Sequence, residues 1–374
     1  MLQLKRNINT IFIMLGQKCN LSCKYCMQHD LITDILPRQK LNKDIITFIK
    51  NCCSKQNTPI DIRFYGGEPL IYYSDIKNIV EELKLYNVEF SIITNGKLLN
   101  QEIVDFFNND KNKFKSCALS WDGFNVSNTR KYDIMKEKED LILQIKQLCI
   151  SGVTSAYNYP NDFVQAILPC QAKYVRIHNK LFSFISDEIV DACHQFSDLI
   201  VFDYEYLNQQ MEQLIRSMLN AAIKSDSSIE TQVYLQLWRT YCYFVEEKLS
   251  NCNESFCGNG ITTLNIDLKG HLYQCHNNWK KIGTIYDSYD KYIKQAQILN
   301  EITNINYENT CKDCEVLSLC KSGCPLVSQE IRKQTDFCEL RKRIFKPILN
   351  LIKASIENKG NFSKLMKGDK LSIL

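Results

Sequence analysis

Cys19, Cys23 and Cys26 stand in a C-x3-C-x2-C spacing directly after an apolar run. Three thiolates on one loop can each take an iron of a 4Fe-4S cluster, which leaves the fourth iron without a protein ligand and open to a substrate or cosubstrate. His29, three residues past Cys26, offers the alternative of a zinc knuckle. A second set follows: Cys252 and Cys257, then Gly270 and Cys275 in a C-x12-G-x4-C spacing, then Cys311, Cys314, Cys320 and Cys324 as C-x2-C-x5-C-x3-C, closed by Cys338. Thiolate tetrads serve zinc as readily as iron-sulfur clusters, so the spacing alone leaves the metal open.

Eighteen cysteines in 374 residues is a high count beside 13 Gly and 7 Pro, and composition says what they are not for. A secreted disulfide scaffold is short and carries a signal peptide. Here the apolar run 8–15 is broken by Asn9 and Thr10, no small-residue cleavage site follows, and Cys19 lacks the small residues that precede a lipoprotein cysteine. No stretch approaches the ~20 apolar residues of a membrane span. The chain reads as cytoplasmic, where clustered cysteines mean metal or redox chemistry. With 45% hydrophobic and 24% charged residues it is a globular chain, and at ~150 residues per domain it has two or three domains. The net charge of +4 is local: nine Lys or Arg against two acids follow Leu340, leaving the rest near −3, which disfavours a nucleic-acid-binding body.

The cysteine loops need a frame. From residue 8 to about 133, short apolar runs alternate with amphipathic ones, the pattern of repeated strand-helix units around a parallel sheet. Residues 11–15, 60–65, 90–94 and 117–121 are predicted strands. Ile76, Ile79, Val80 and Leu83 recur at i, i+3, i+4 and i+7 and predict a helix; Ile45, Ile46 and Ile49 sketch another. From 153 to 203 the pattern is less regular, with strand-like stretches at 175–177 and 199–202, and 211–223 and 233–249 are predicted helices. After Asn251 the periodicity stops, and a loop-rich segment running to Cys338 is one that metal holds together. The tail from Arg341 has apolar spacing at Ile344, Ile348, Leu351 and Ile352, a helix with one docked face. Cys52, Cys53, Cys117, Cys149, Cys170, Cys193 and Cys242 sit among apolar residues without metal spacing and are predicted buried. His178 and His194 are predicted structural or surface residues.

Tyr25 fills an aromatic slot between Cys23 and Cys26. Gly66-Gly67-Glu68-Pro69 follows the second strand, Thr94-Asn95-Gly96 ends the next, and Ser120-Trp121-Asp122-Gly123 the one after, with Arg130 beyond. Strand by strand over residues 8–133, this resembles the radical S-adenosylmethionine enzymes. All these motifs fall at C-terminal strand ends, where parallel barrels bind ligands. The resemblance implies an α/β fold with a partial (β/α)6 TIM-like barrel, a cluster on Cys19, Cys23 and Cys26, and S-adenosylmethionine bound by Tyr25, Gly66, Gly67, Glu68, Ser120, Asp122 and Arg130. In that family the Gly-Gly-Glu-Pro backbone receives the methionine amino group, glycines permitting close approach, and an Arg pairs with the methionine carboxylate.

The second cysteine set resembles the SPASM extension of peptide-modifying radical enzymes. That implies a barrel domain at 1–250, a small loop-rich iron-sulfur domain at 251–340 and a basic helical tail at 341–374. It also implies one auxiliary 4Fe-4S cluster on Cys252, Cys257, Cys275 and Cys324 and another on Cys311, Cys314, Cys320 and Cys338, three clusters in all. Four thiolates each complete the auxiliary sets, which favours electron transfer or structure over direct substrate binding. His276 follows Cys275 where sulfatase-maturing relatives carry a catalytic Asp. It is the candidate catalytic residue, as a proton acceptor, or else a partner of the cluster. Asp267, ahead of Gly270, is a turn-former.

These resemblances imply that a reduced cluster passes an electron to S-adenosylmethionine, the sulfonium bond breaks, and a 5′-deoxyadenosyl radical takes hydrogen from a peptide or protein. A crosslink, an epimer or an oxidised residue would result. The implied partners are that substrate and an electron donor such as flavodoxin or ferredoxin, with no nucleic acid and no membrane. The 18 residues ahead of Cys19 are too few for the winged-helix module of relatives, so a leader peptide would be held elsewhere, by a separate leader-peptide-binding protein, or not at all. Two rivals stand: an anaerobic sulfatase-maturing enzyme making formylglycine, against which His276 counts, and a non-catalytic iron-sulfur or zinc protein.

Overall fold

Six strands lie side by side in chain order: β1 (Thr10–Met14), β2 (Ile60–Tyr65), β3 (Val88–Thr94), β4 (Phe114–Ser120), β5 (Leu148–Thr154) and β6 (Ser183–Glu188). The computed structural model that shows them describes residues 7–26, 28, 40–188, 199, 201–224, 226–250, 262–288, 290–292, 294–295, 311, 313–320 and 336–357. β1 to β5 pair parallel, so each connection crosses over through a helical segment. This is the mixed α/β architecture with a parallel sheet that the alternation predicts.

The helices form where the sequence caps and patterns them. Asn42 caps α1 (Lys43–Cys53) by accepting from the Asp44 amide, and Ile45, Ile46, Phe48, Ile49, Cys52 and Cys53 are buried. α2 (Tyr73–Leu83) buries Ile76, Ile79, Val80 and Leu83, the four positions of the predicted stripe. α3 (Gln101–Asn108) is capped by Asn100; α4 (Val126–Thr129) and α5 (Ile134–Ile142) follow β4. One face of the sheet is aromatic: Phe64 stacks on Phe90 at 5.9 Å, and Phe114 meets Phe107 of α3 at 4.8 Å. Alternate residues are polar, Arg63 pairing with Asp61 at 2.5 Å and Lys115 with Asp61 at 3.4 Å.

Residues 263–284 depart from the expected loop. β7 (Thr263–Asp267) pairs parallel with β1, and β8 (His271–Cys275) and β9 (Asn278–Thr284) continue antiparallel, making, among the described residues, a nine-stranded sheet in the order β6-β5-β4-β3-β2-β1-β7-β8-β9. β7 and β8 have five residues each, too few for their alternation to stand out. Asp267 turns the chain between them as predicted, its carbonyl accepting from the Gly270 amide at 3.0 Å. The strand-like 175–177 is instead the end of α6 (Pro160–His178), a helix that Pro160 starts at its first turn and Asn179 ends at φ 53°. Its β-branched residues sit in a helix held by its neighbours, tertiary context overriding propensity. Residues 199 and 201–203 are not strand; β6, ahead of them at Ser183–Glu188, is.

The chain divides into two compact units, residues 1–152, 182–187 and 257–303 in one, and 153–181, 188–256 and 304–374 in the other. The described elements of the second are mostly helical: α6, α7 (Tyr204–Lys224), α8 (Ile229–Ser250), α9 (Leu317–Cys320) and α10 (Phe337–Glu357). Polar contacts tie them: Gln165 donates to the Tyr234 hydroxyl at 2.8 Å and Arg343 to Asn208 at 3.0 Å. α10 buries Ile344, Ile348, Leu351 and Ile352, the docked face the tail spacing predicts. Among the described residues no helix is long and apolar enough to cross a membrane.

Candidate active site

Cys19, Cys23 and Cys26 lie half-buried on the loop after β1, and three other strand-end loops hold that loop in place. The Gly67 amide donates to the Gly16 carbonyl and the Glu68 amide to that of Lys18, both at 2.9 Å. A Cβ on Gly67 would lie 2.4 Å from the carbonyl oxygens of Gln17 and Lys18, and Gly66, at φ +151°, would place one 2.3 Å from that of Gly16. The glycine pair is therefore required by the approach of two backbones, whatever else binds there.

Glu68 extends the brace. Its buried carboxylate accepts from the Leu70 amide at 2.9 Å, the Thr94 hydroxyl at 2.6 Å and the Asn95 amide at 2.8 Å. Burial raises its pKa against those three bonds. Asn95 passes the contact on, its Nδ2 donating to Asn20 at 2.8 Å and standing 3.9 Å from Cys19 Sγ.

Asp122 organises the opposite side. One of its carboxylate oxygens accepts from the Tyr25 hydroxyl at 2.7 Å, the Thr129 hydroxyl at 2.6 Å and Arg130 Nε at 3.1 Å. Arg130 lies over the Tyr25 ring at 5.1 Å and brings Nη1 to 3.9 Å from Cys23 Sγ. Burial works against the guanidinium charge, but Asp122, with Tyr25 and Cys23, more than offsets it and raises the pKa. Ser120 ends β4 two residues before Asp122.

Desolvation raises the pKa of all three thiols, that of Cys23 to about 11, although Arg130 opposes it there. The Nδ2 atom of Asn20, between Cys19 and Cys23, and the Oε1 atom of Gln28, just past Cys26, are buried without a hydrogen-bond partner among the described residues. Three thiols, donors aimed at two of them, and orphaned polar atoms beside them fit a cluster whose irons each take one thiolate. Among the described residues, no three His, Cys, Asp or Glu side chains converge on a single-ion position.

His276 lies beyond Cys275, at the turn into β9. Its ring stacks on Phe12 at 4.1 Å and 12° and meets Tyr65 edge-on at 4.7 Å. Gln28 donates to its carbonyl at 3.1 Å, and the Tyr65 hydroxyl donates to Asn277 at 2.6 Å. The hairpin end is thus fastened both to the cysteine loop and to the end of β2. Burial, with Arg63 nearby, lowers the His276 pKa to about 3, so the imidazole is neutral at ordinary pH.

Of the second cysteine set, Cys275 is buried and accepts from the Asn277 amide at 3.4 Å. Cys311 and Cys314 are half-buried on one turn, Cys320 is buried at the end of α9, and Cys338 is exposed at the start of α10. Cys252, Cys257, Cys324, His29, His194 and Cys193, and the side chain of Cys242, lie outside the described residues. Cys52, Cys53, Cys117, Cys149 and Cys170 are buried, as predicted, and the His178 ring packs on Tyr174 at 4.2 Å. The sequence gives no sign of Thr129 or Asn20; Asn95 stands inside a singled-out motif, but its reach to the cysteine loop is a product of the fold.

Residues 13–144 match the Radical SAM superfamily. The chain is 21% identical over 346 residues to the radical SAM cyclopropyl synthase TigE of Paramaledivibacter caminithermalis, covering 85% of this chain and 68% of that protein. It is 23% identical to the cysteine-type anaerobic sulfatase-maturating enzyme of Clostridium novyi, covering 83% and 85%. The fold is similar to that of native anSMEcpe with bound AdoMet and Kp18Cys peptide, with a TM-score of 0.66 at 18% identity over 93% of this chain and 99% of that one. The chain carries a radical SAM domain.

Proposed function

We propose that this protein is a radical S-adenosylmethionine enzyme that modifies a peptide or protein, forming a crosslink, an epimer or an oxidised residue. The observation that carries the reading is the convergence of three strand-end loops on Cys19, Cys23 and Cys26, with Arg130 and Asn95 aimed at two of the thiols. Relatives that include a cyclopropyl synthase and a sulfatase-maturating enzyme, along most of the chain, support a reaction on a polypeptide.

When bound, the cluster and S-adenosylmethionine supply one-electron cleavage of a sulfonium bond and a 5′-deoxyadenosyl radical. The chain's own residues hold and orient these groups. Cys19, Cys23 and Cys26 ligate the cluster. The Gly66-Gly67 backbone would take the methionine amino group, and Arg130, pinned through Nε by Asp122 and with Nη1 toward Cys23, would offer the outer end of its fork to the carboxylate. Tyr25 and Glu68 fix the two loops, and Ser120 completes that strand end. His276 takes part as a neutral imidazole beside Cys275. Cys252, Cys257, Cys275 and Cys324 are the proposed ligands of one auxiliary 4Fe-4S cluster, and Cys311, Cys314, Cys320 and Cys338 of a second. A flavodoxin or ferredoxin supplies electrons in the cytoplasm, and a separate protein presents any leader peptide.

The test is turnover under dithionite with short peptides encoded beside the gene. Production of 5′-deoxyadenosine together with a peptide about two mass units lighter, or one that gains deuterium from solvent at unchanged mass in ordinary water, supports the reading. Efficient turnover of sulfatase-motif peptides alone would establish the sulfatase-maturing rival. No cleavage of S-adenosylmethionine under any reductant would refute both.

A further inference from the structure

Within the helical unit, α10 presses a buried cation against a cysteine. Arg341 is 1% exposed, and its Nη1 points at Cys320 Sγ, 3.5 Å away. The guanidinium lies 4.8 Å from the Phe337 ring and 5.9 Å from the Phe345 ring, residues one turn before and one turn after it on the same helix and both buried. That aromatic corridor fixes where the charge sits. Cys338 precedes Arg341 by three positions, which puts both on one face of α10. The arginine therefore touches one of the four thiols assigned above to the second auxiliary cluster and shares a helix face with another.

A metal-bound thiolate carries a negative charge that a guanidinium donor matches better than it matches a neutral thiol. We propose that Arg341 sets the reduction potential of the cluster on Cys311, Cys314, Cys320 and Cys338, by donating to the Cys320 sulfur and holding a fixed positive charge beside it. The proposal rests on that cluster assignment. Reduction adds one negative charge to such a cluster, and a neighbouring cation with an N–H···S bond favours the more negative state, more strongly in a dry interior than in water. Without the arginine the reduced form loses that stabilisation and the potential falls. Arg341 is on this view a positioning residue for charge, acting through Cys320 and touching no substrate.

The experiment uses the full chain, reconstituted anaerobically with iron and sulfide, in a background where Cys19, Cys23 and Cys26 are Ala so that only auxiliary signals remain. Potentiometric titration followed by electron paramagnetic resonance reads each cluster separately. In Arg341→Gln, one auxiliary signal should shift so that the reduced-to-oxidised ratio at fixed potential drops about tenfold, roughly 59 mV downward for a one-electron couple, while the other stays in place. Arg341→Lys, which keeps the charge and loses the planar fork, should move the same signal the same way by less. If Arg341→Gln does not retain its iron, Arg341→Lys carries the test. An unmoved potential in a variant with full iron overturns the role of Arg341. Cys311→Ala with Cys314→Ala separates this from failure of the cofactor reading: loss of ~4 iron upholds the cluster, and an unchanged iron count overturns the cluster and the arginine's role with it.

Discussion

Arg130 is held by Asp122 through Nε, at 3.1 Å, and not through the nitrogens at the end of its fork. Nη1 reaches instead toward Cys23, while the hydroxyls of Tyr25 and Thr129 close on the same Asp122 oxygen that receives Nε. The carboxylate is wholly buried and the guanidinium nearly so, which makes the pair a rigid mount for the outer end of the fork.

Asp122→Asn keeps the shape of that mount and removes its charge. We expect affinity for S-adenosylmethionine to fall roughly tenfold and the protein to lose about 1 to 3 kcal/mol of stability, a charged acceptor being replaced by a neutral one. Ligand titration and urea unfolding measure the two effects. Unchanged affinity would mean that Arg130 keeps its place without its partner.

Arg130→Ala removes the proposed carboxylate partner itself. The expected cost is on the order of 1.5 to 3 kcal/mol of binding, roughly ten- to hundredfold in Kd, at full iron content. A variant that binds the cosubstrate as tightly as wild type would show its carboxylate to be held elsewhere.

Gly67→Ala tests the brace rather than the ligand. The added methyl meets backbone oxygens of Gln17 and Lys18 at 2.4 Å, which cannot swing away as a side chain would. Overpacking of this kind costs about 1 to 3 kcal/mol. The cysteine loop should shift, and the variant should hold about 4 fewer iron than wild type after equal reconstitution. Full iron loading would show that the two loops tolerate being pushed apart.

Iron analysis tests the cofactor count. The reconstituted chain should carry ~12 iron and ~12 sulfide, and the Cys19, Cys23 and Cys26 triple Ala variant ~8. Stoichiometric zinc in place of iron would end the cluster assignment for whichever set retains it.

The site was legible where chemistry forces residue types into short spacings. Three cysteines within eight residues, a Gly-Gly pair and an Asn-Gly turn keep their meaning in one dimension, and the structure brings them to one loop cluster. The supports were less visible, because a bond such as Glu68 to Asn95 depends on two strands becoming neighbours. Helices with a full stripe, α1 and α2, were readable for the same reason that long periodic signals are. The five-residue strands β7 and β8 were not, since what makes Thr263 to Asp267 a strand is the open edge of β1.

That edge has a bearing on how the protein is made. Thr10 pairs with Thr263, so β1 obtains its second neighbour only after 253 further residues have been synthesised. Until then its outward N–H and C=O groups form an unpaired strand edge, the kind that recruits other chains. Pairing at such sequence separation is slow, because loop closure precedes the reward of contact. A nascent chain stalled before residue 263 would hold β1 beside β2 with its other side bare. Ribosome-bound fragments ending there should therefore aggregate more readily than those that include β7, which sediments of stalled complexes can measure.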